Sequence, residues 1–183
     1  SDIMEHGGHG RLLCYDPLTQ KAVTLLDGIN FANGVAVSHD QTYVLINETG
    51  SYRVLRYWIS GPKQGQSEPL IENLPGFPDN LSTGMENRFW IALMAPRNKL
   101  VDFLSDKPFW RKVIQRLPAF VRPKATIYAH IVTIDGNGKV LESLQDPDTD
   151  YPQITGVIET DAYIYLGSLI APDIGRIVNK IRR

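Results

Sequence analysis

The sequence predicts an all-β fold of short antiparallel strands, and three observations carry that prediction. Strand-prone runs recur along the chain and are closed by turn residues such as Asp16-Pro17, Asp27-Gly28 and Asp135-Gly136-Asn137-Gly138. The run Arg53 to Ile59 alternates, with Val54, Arg56 and Trp58 on one side and Leu55, Tyr57 and Ile59 on the other. The run Phe89-Trp90-Ile91-Ala92-Leu93 is too apolar to face water on either side, as a strand sandwiched between packed sheets must be.

The elements follow in order. Arg11 to Tyr15 and Ala22 to Leu26 form a first pair of strands. Asn33-Gly34 then opens Val35-Ala36-Val37, and Ser38-His39-Asp40 turns the chain into Tyr43 to Ile46, a strongly β-prone run. Arg53 to Ile59 and a weaker Pro69 to Ile71 complete that round. A second round runs from Asp79-Asn80-Leu81 through the turn at Glu86-Asn87 to Phe89 to Leu93, and ends with Ile131 to Ile134 and Val140 to Leu144. A third holds Ile154 to Ile158, Tyr163 to Leu166 and Gly175 to Val178.

One passage, 97–118, reads as a helical insert. Pro108 suits an early helical position and Pro118 stops the helix. Trp110, Val113, Ile114 and Leu117 fall three or four apart and make one apolar stripe. Such a stripe either packs on the adjacent sheet edge or covers a pocket or subunit contact.

Rounds of four strands are the units of a β-propeller, and Asn33 and Asp79 stand about one blade apart. The chain holds about three blades, whereas closed rings have roughly four to eight. An open half-ring leaves two apolar sheet faces at its ends. The sequence therefore calls for an N-terminal half, or for a second copy that closes a ring of six.

Composition narrows the class. A net charge of -1 from 19 basic and 20 acidic residues offers no basic stripe for nucleic acid. No apolar run is long enough to cross a membrane as a helix. The Gly- and His-rich start, Ser1 to Gly10, has no signal-peptide core and reads as a loop of a longer parent or an expression boundary. The basic ending Lys180, Arg182, Arg183 reads as a solvated tail. The single cysteine, Cys14, cannot form an internal disulfide and reads as a strand residue without chemistry.

Several segments together resemble the strictosidine synthase-like proteins, including the animal adipocyte plasma-membrane-associated type. They are Gly10-Arg11-Leu12-Leu13 with Tyr15-Asp16-Pro17, and Phe31-Ala32-Asn33-Gly34-Val35-Ala36 with Asn47-Glu48-Thr49 and the run Arg53 to Trp58. Leu74-Pro75-Gly76-Phe77-Pro78-Asp79-Asn80 with Phe89-Trp90 continues the likeness, and Arg97-Asn98-Lys99-Leu100 and Tyr165-Leu166-Gly167-Ser168-Leu169 complete it. The resemblance implies a six-bladed propeller of roughly double this length, within a wider group of gluconolactonases, paraoxonases and the squid phosphotriesterase. Those relatives hold an axial calcium ion. The positions matching their ligands are Asn33, Asp79 and Asn80, whereas an earlier Glu and an earlier Asn of those enzymes would precede Ser1.

The residues themselves are compatible with that role. Calcium takes about six to eight oxygen ligands from carboxylates, amides, carbonyls and water. Asn33 and Asp79 each read as opening an innermost strand, at the mouth of the channel, and Asn80 could offer a carbonyl. The ordinary reading of Asn33-Gly34 is a turn pair before a strand. Three ligands are too few for tight binding by one copy. Among the four histidines, His130 follows the insert and is the best base candidate, with Tyr128 beside it. His39 reads as a solvent-facing turn residue, and His6 and His9 lie in the loose start. Asn47-Glu48-Thr49 and Asn80-Leu81-Ser82 have the glycosylation pattern.

In these enzymes calcium would polarise an ester or lactone carbonyl. The leading expectation is therefore a calcium-assisted hydrolase of small-molecule esters or lactones, an arylesterase or lactonase. The alternative is a binding or structural propeller without chemistry. Strictosidine-type condensation of an amine with an aldehyde is disfavoured, because Pro152 stands where the resemblance places its acid–base Glu. Glu159 lies near in sequence but at a different strand position.

Overall fold

The computed structural model describes residues 7–97, 128–146, 148 and 150–181. The helical insert expected at 97–118 lies outside the described residues, apart from Arg97. Thirteen strands are present among those described. They are β1 Gly10–Asp16, β2 Lys21–Ile29, β3 Ala32–Val37, β4 Tyr43–Glu48, β5 Arg53–Trp58 and β6 Ser67–Ile71. The remainder are β7 Gly76–Thr83, β8 Arg88–Pro96, β9 His130–Asp135, β10 Val140–Gln145, β11 Ile154–Glu159, β12 Tyr163–Ser168 and β13 Gly175–Val178.

All strand pairs are antiparallel meanders. β3-β4-β5-β6 and β7-β8-β9-β10 are complete four-stranded blades. β11-β12-β13 is a three-stranded blade, and β1-β2 is a separate pair. Where the connection is a short turn, the next strand is returned beside its predecessor. Glu86 and Asn87, for example, both take positive φ (51° and 62°) to reverse the chain between β7 and β8. The innermost strands β3, β7 and β11 lie side by side, so the blades stack around a common axis. This is the partial propeller that the sequence predicts.

Period-2 alternation builds the core between blades. On β8, Phe89, Ile91 and Leu93 pack into the cluster shared with the first blade, together with Leu45, Val54 and Phe77. Their neighbours Trp90 and Ala92 point the other way, into the cluster shared with Ile154, Val157, Ile164 and Leu166 of the third blade. All five of these β8 residues are 0 % exposed. Each large apolar side chain buried this way contributes about 1.5–3 kcal/mol. A third cluster seats the β1-β2 pair through Ile29 against Val44, Ile46, Leu55 and Tyr57.

The two ends of the stack are not covered. Leu13, Tyr15, Val23, Val35 and Val37 are exposed at one end, and Ile158, Ile174, Ile177 and Val178 at the other.

Candidate functional site

The three innermost strands share an irregularity. Register skips between Ala32 and Val35 on β3, between Pro78 and Leu81 on β7, and between Ile154 and Gly156 on β11. These skips hold Asn33-Gly34, Asp79-Asn80 and Thr155 respectively. A bulge leaves a residue unpaired in the ladder and re-aims its side chain, which is why bulges gather beside functional sites. The sequence does not reveal them. It opens the second inner strand at Asp79, whereas β7 begins at Gly76, because Gly76-Phe77-Pro78 looks like turn chemistry.

At the junction of the first two blades the backbones of β3 and β7 touch. A Cβ on Gly34 would lie 2.6 Å from the carbonyl oxygen of Asp79, so only glycine allows the approach. The Asn33 side chain thereby comes near enough to the Asp79 carboxyl to favour its charged form. Burial pushes the Asp79 pKa up, and nearby Asn33 opposes this. The result is a half-buried carboxyl short of donors.

Side chains at the end of β4 and just after it hold the backbone on which Asp79 sits. Asn47 Nδ2 donates to the Asp79 carbonyl at 2.7 Å, and Thr49 Oγ1 donates to the Pro78 carbonyl at 2.5 Å. Asn80 is exposed, and its Nδ2 donates to the Thr155 carbonyl at 2.6 Å, which leaves its oxygens as possible ligands. The structure thus brings Asn33 and Asp79 together and ties Asn80 to the third blade. Sequence reasoning passed over Thr155, and saw Asn47 and Thr49 only as part of the family likeness and a glycosylation pattern, without a role at the site. Asn47 is 0 % exposed, which closes its amide to a glycosyltransferase in the folded chain. The available signal was the abrupt change from Tyr43-Val44-Leu45-Ile46 to the polar Asn47 and Glu48 in unbroken strand register.

His130 occupies a different setting. It opens β9, two strands out from β7, and is 0 % exposed. Its Nδ1 pairs with the Tyr128 hydroxyl at 2.6 Å and its Nε2 with Ser143 Oγ at 2.8 Å, on the outermost strand β10. Burial lowers its pKa. Both nitrogens are therefore engaged within the sheet.

Glu159 is likewise engaged. Its Oε2 accepts from Met85 N and Trp90 Nε1, each at 2.9 Å, and its Oε1 accepts from Asn179 Nδ2 at 3.0 Å. Arg88 Nε stands 3.6 Å away. Pro152 offers only its carbonyl, which accepts from Ser168 Oγ.

No three His, Cys, Asp or Glu side chains converge among the described residues. A cation at Asp79 would therefore rest on one carboxylate together with amide and carbonyl oxygens. That donor set suits a hard cation such as calcium and not zinc. Two surface clefts, of about 290 and 400 Å³, lie elsewhere and include none of Asn33, Asp79 or Asn80.

Comparison with known proteins places this arrangement. The strictosidine synthase family profile matches residues 1–62. The adipocyte plasma membrane-associated protein of Rattus norvegicus is 36% identical over 96% of this chain and 48% of its own length. A gluconolactonase from Xanthomonas campestris superposes with a TM-score of 0.60 at 18% identity, over 97% of this chain and 52% of that one. Regucalcin of Agrobacterium tumefaciens, a calcium-binding protein, superposes with a TM-score of 0.58 at 15% identity, over 93% of this chain and 48% of that one. At such identity these two structures show the fold, which is the propeller. The chain spans about half the length of the curated relatives it matches. Sequence likeness and blade geometry agree that the chain belongs to the strictosidine synthase-like family, with the adipocyte plasma membrane-associated proteins.

Proposed function

We propose that this chain carries half of a propeller site which, in a complete ring, hydrolyses small ester or lactone substrates with the aid of calcium. The observation that carries the proposal is the Asn33–Asp79 pair, set on two bulges at the junction of adjacent inner strands. The solved gluconolactonase and the calcium-binding regucalcin of the same fold support it. Bound calcium would polarise the substrate carbonyl. Asn33, Asp79 and Asn80 would hold the cation, with Asn47 and Thr49 fixing the backbone beneath it. His130 is the proposed base, and to take a proton it must first release one of the ring nitrogens now paired with Tyr128 and Ser143. The ring would be completed on the uncovered end faces, by an N-terminal half or by a second copy.

Turnover of phenyl acetate and gluconolactone, in calcium and in chelator, tests the proposal. Calcium-dependent hydrolysis that disappears in Asp79→Asn supports it. Hydrolysis indifferent to both calcium and Asp79 sinks it. Light scattering on the eluting chain separates the two ways of closing the ring. Twice the monomer mass favours a second copy, and a monomer prone to aggregate favours a missing half.

The engaged nitrogens of His130 and the proline at 152 favour a second reading, a binding propeller without chemistry. Calcium binding with no turnover of any ester or lactone would select it. Condensation chemistry stays disfavoured, since Pro152 cannot carry a proton and the Glu159 carboxylate is closed by its donors.

A further inference from the structure

Asn47 is a polar side chain sealed inside the blade. It is 0 % exposed and follows the fully or nearly fully buried run Tyr43, Val44, Leu45, Ile46. Its neighbours in the β3–β4 ladder pair Ala32 with Glu48 and Val35 with Ile46. Asn47 therefore lies opposite the bulge that holds Asn33 and Gly34. Its Nδ2 reaches the Asp79 carbonyl at 2.7 Å, on the second bulge. The amide is thus wedged between the two irregularities that carry the proposed cation ligands.

Half of that amide is unused. Asn47 Oδ1 is buried and has no hydrogen-bond partner. A buried acceptor left unpaired carries its full desolvation penalty. Native proteins fill nearly all such groups, and an unfilled one marks a place for a water or an ion. A methyl-bearing side chain would suit this apolar position better if volume were all that mattered.

We infer that Asn47 is a further oxygen donor to the cation site at Asn33 and Asp79, an inference that rests on the calcium reading above. Oδ1 supplies a neutral amide oxygen, directly or through one water, while Nδ2 holds the Asp79 carbonyl in place. The residue comes from a second strand, which is more rigid than the loops that often carry calcium ligands. A hard cation accepts this donor, because it draws on about six to eight oxygens of mixed type.

The test uses the full chain, with calcium chloride as the probe and magnesium chloride and EDTA as controls. Thermal unfolding and calorimetric titration are compared for wild type, Asn47→Leu, Asn47→Ser and Asn47→Asp. Calcium should stabilise the wild type, and affinity should fall about tenfold or more in Asn47→Leu. Asn47→Ser, smaller and still polar, should show the same loss and serves if the leucine variant does not fold. Asn47→Asp should melt below wild type in EDTA, where a carboxylate replaces a donor, and should gain more from calcium than wild type gains. A purely structural bridge would not produce that larger gain. Equal calcium stabilisation of wild type and Asn47→Leu overturns the assignment and leaves the Asn33–Asp79 site standing. No response of wild type to calcium raised to concentrations that would fill a weak site overturns both.

Discussion

Asp79 and Glu159 are both carboxylates at blade junctions, and they are opposite in kind. Glu159 has 0 % side-chain exposure and meets donors from Met85, Trp90 and Asn179, with Arg88 at 3.6 Å. Burial alone would raise its pKa, but these donors together outweigh burial and hold it below the ordinary value. Asp79 is half-buried, burial outweighs the opposing influence of nearby Asn33, and its pKa is raised. The filled carboxylate ties the second blade, the third blade and the chain after β13 into one body. The underfilled one stands on the bulge of the inner strand β7. Burial by itself does not separate structure from function here. The number of donors already supplied does.

The sharpest way to break the comparison is to empty the filled site. Glu159→Ala leaves the Met85 amide and the indole of Trp90 without their acceptor, while Arg88 keeps Glu86 at 3.0 Å and the Met85 carbonyl at 2.8 Å. Each buried donor left unpaired in this way costs about 1–3 kcal/mol. Chemical denaturation should show a loss of that size. A loss under about 1 kcal/mol would mean that water replaces the carboxylate and that the clasp is not holding the blades together. Asp79→Asn should behave in the reverse sense. It removes a charge that burial disfavours, so the variant should unfold at or above the wild-type midpoint in calcium-free buffer while losing any calcium response.

The pH dependence of stability sharpens the same contrast. Glu159 has a folded pKa below its unfolded value near 4.5. Its stabilisation is complete above about 4.5 and is lost as pH falls through the lower folded value. Asp79 has a folded pKa above its unfolded value near 3.8. It favours the folded state when protonated, and that advantage disappears as pH rises through the raised value. His130 adds a third slope. Its folded pKa lies below 6.5, so the folded state loses ground as pH falls below 6.5 and the unfolded chain takes up the proton. Wild type and Asp79→Asn, melted from pH 3 to pH 7, should diverge only above the ordinary Asp range, with the variant relatively more stable there. Parallel curves would show that Asp79 is solvated as freely in the fold as in the unfolded chain.

Much of the architecture was legible because it is written in local alternation. The period of β5, the continuous apolarity of β8 and the turn at Asp135-Gly136-Asn137-Gly138 are read within a few residues of each other, and each stands where expected. The pairing of Asn33 with Asp79 was half legible, since both positions stand out by type while their contact depends on Gly34 lying against the β7 backbone. The donors of Glu159 were illegible. Met85 and Trp90 lie about seventy residues away in sequence, and no pattern in a window reports them. Asn47 escaped for a related reason, because its burial is decided by strands from two blades.

The smallest expected effect concerns Asn80. Its amide links β7 to the Thr155 carbonyl across the second blade junction, but the side chain is exposed. Asn80→Ser breaks that link, and water can take the vacant place at the carbonyl. The cost should fall near the low end for a hydrogen bond, about 0.5–1 kcal/mol. The value matters less than its comparison with Glu159→Ala, which acts at the same β7–β8 and β11 junction through a closed site. If both variants lost the same amount, the junction would unfasten as a whole wherever it was cut, and donor number would no longer distinguish the two sites. If Asn80→Ser instead lost several-fold less, the mouth of the channel would be the weakly fastened part of the junction, free to exchange its own hydrogen bonds for those of a cation without loosening the blades behind it.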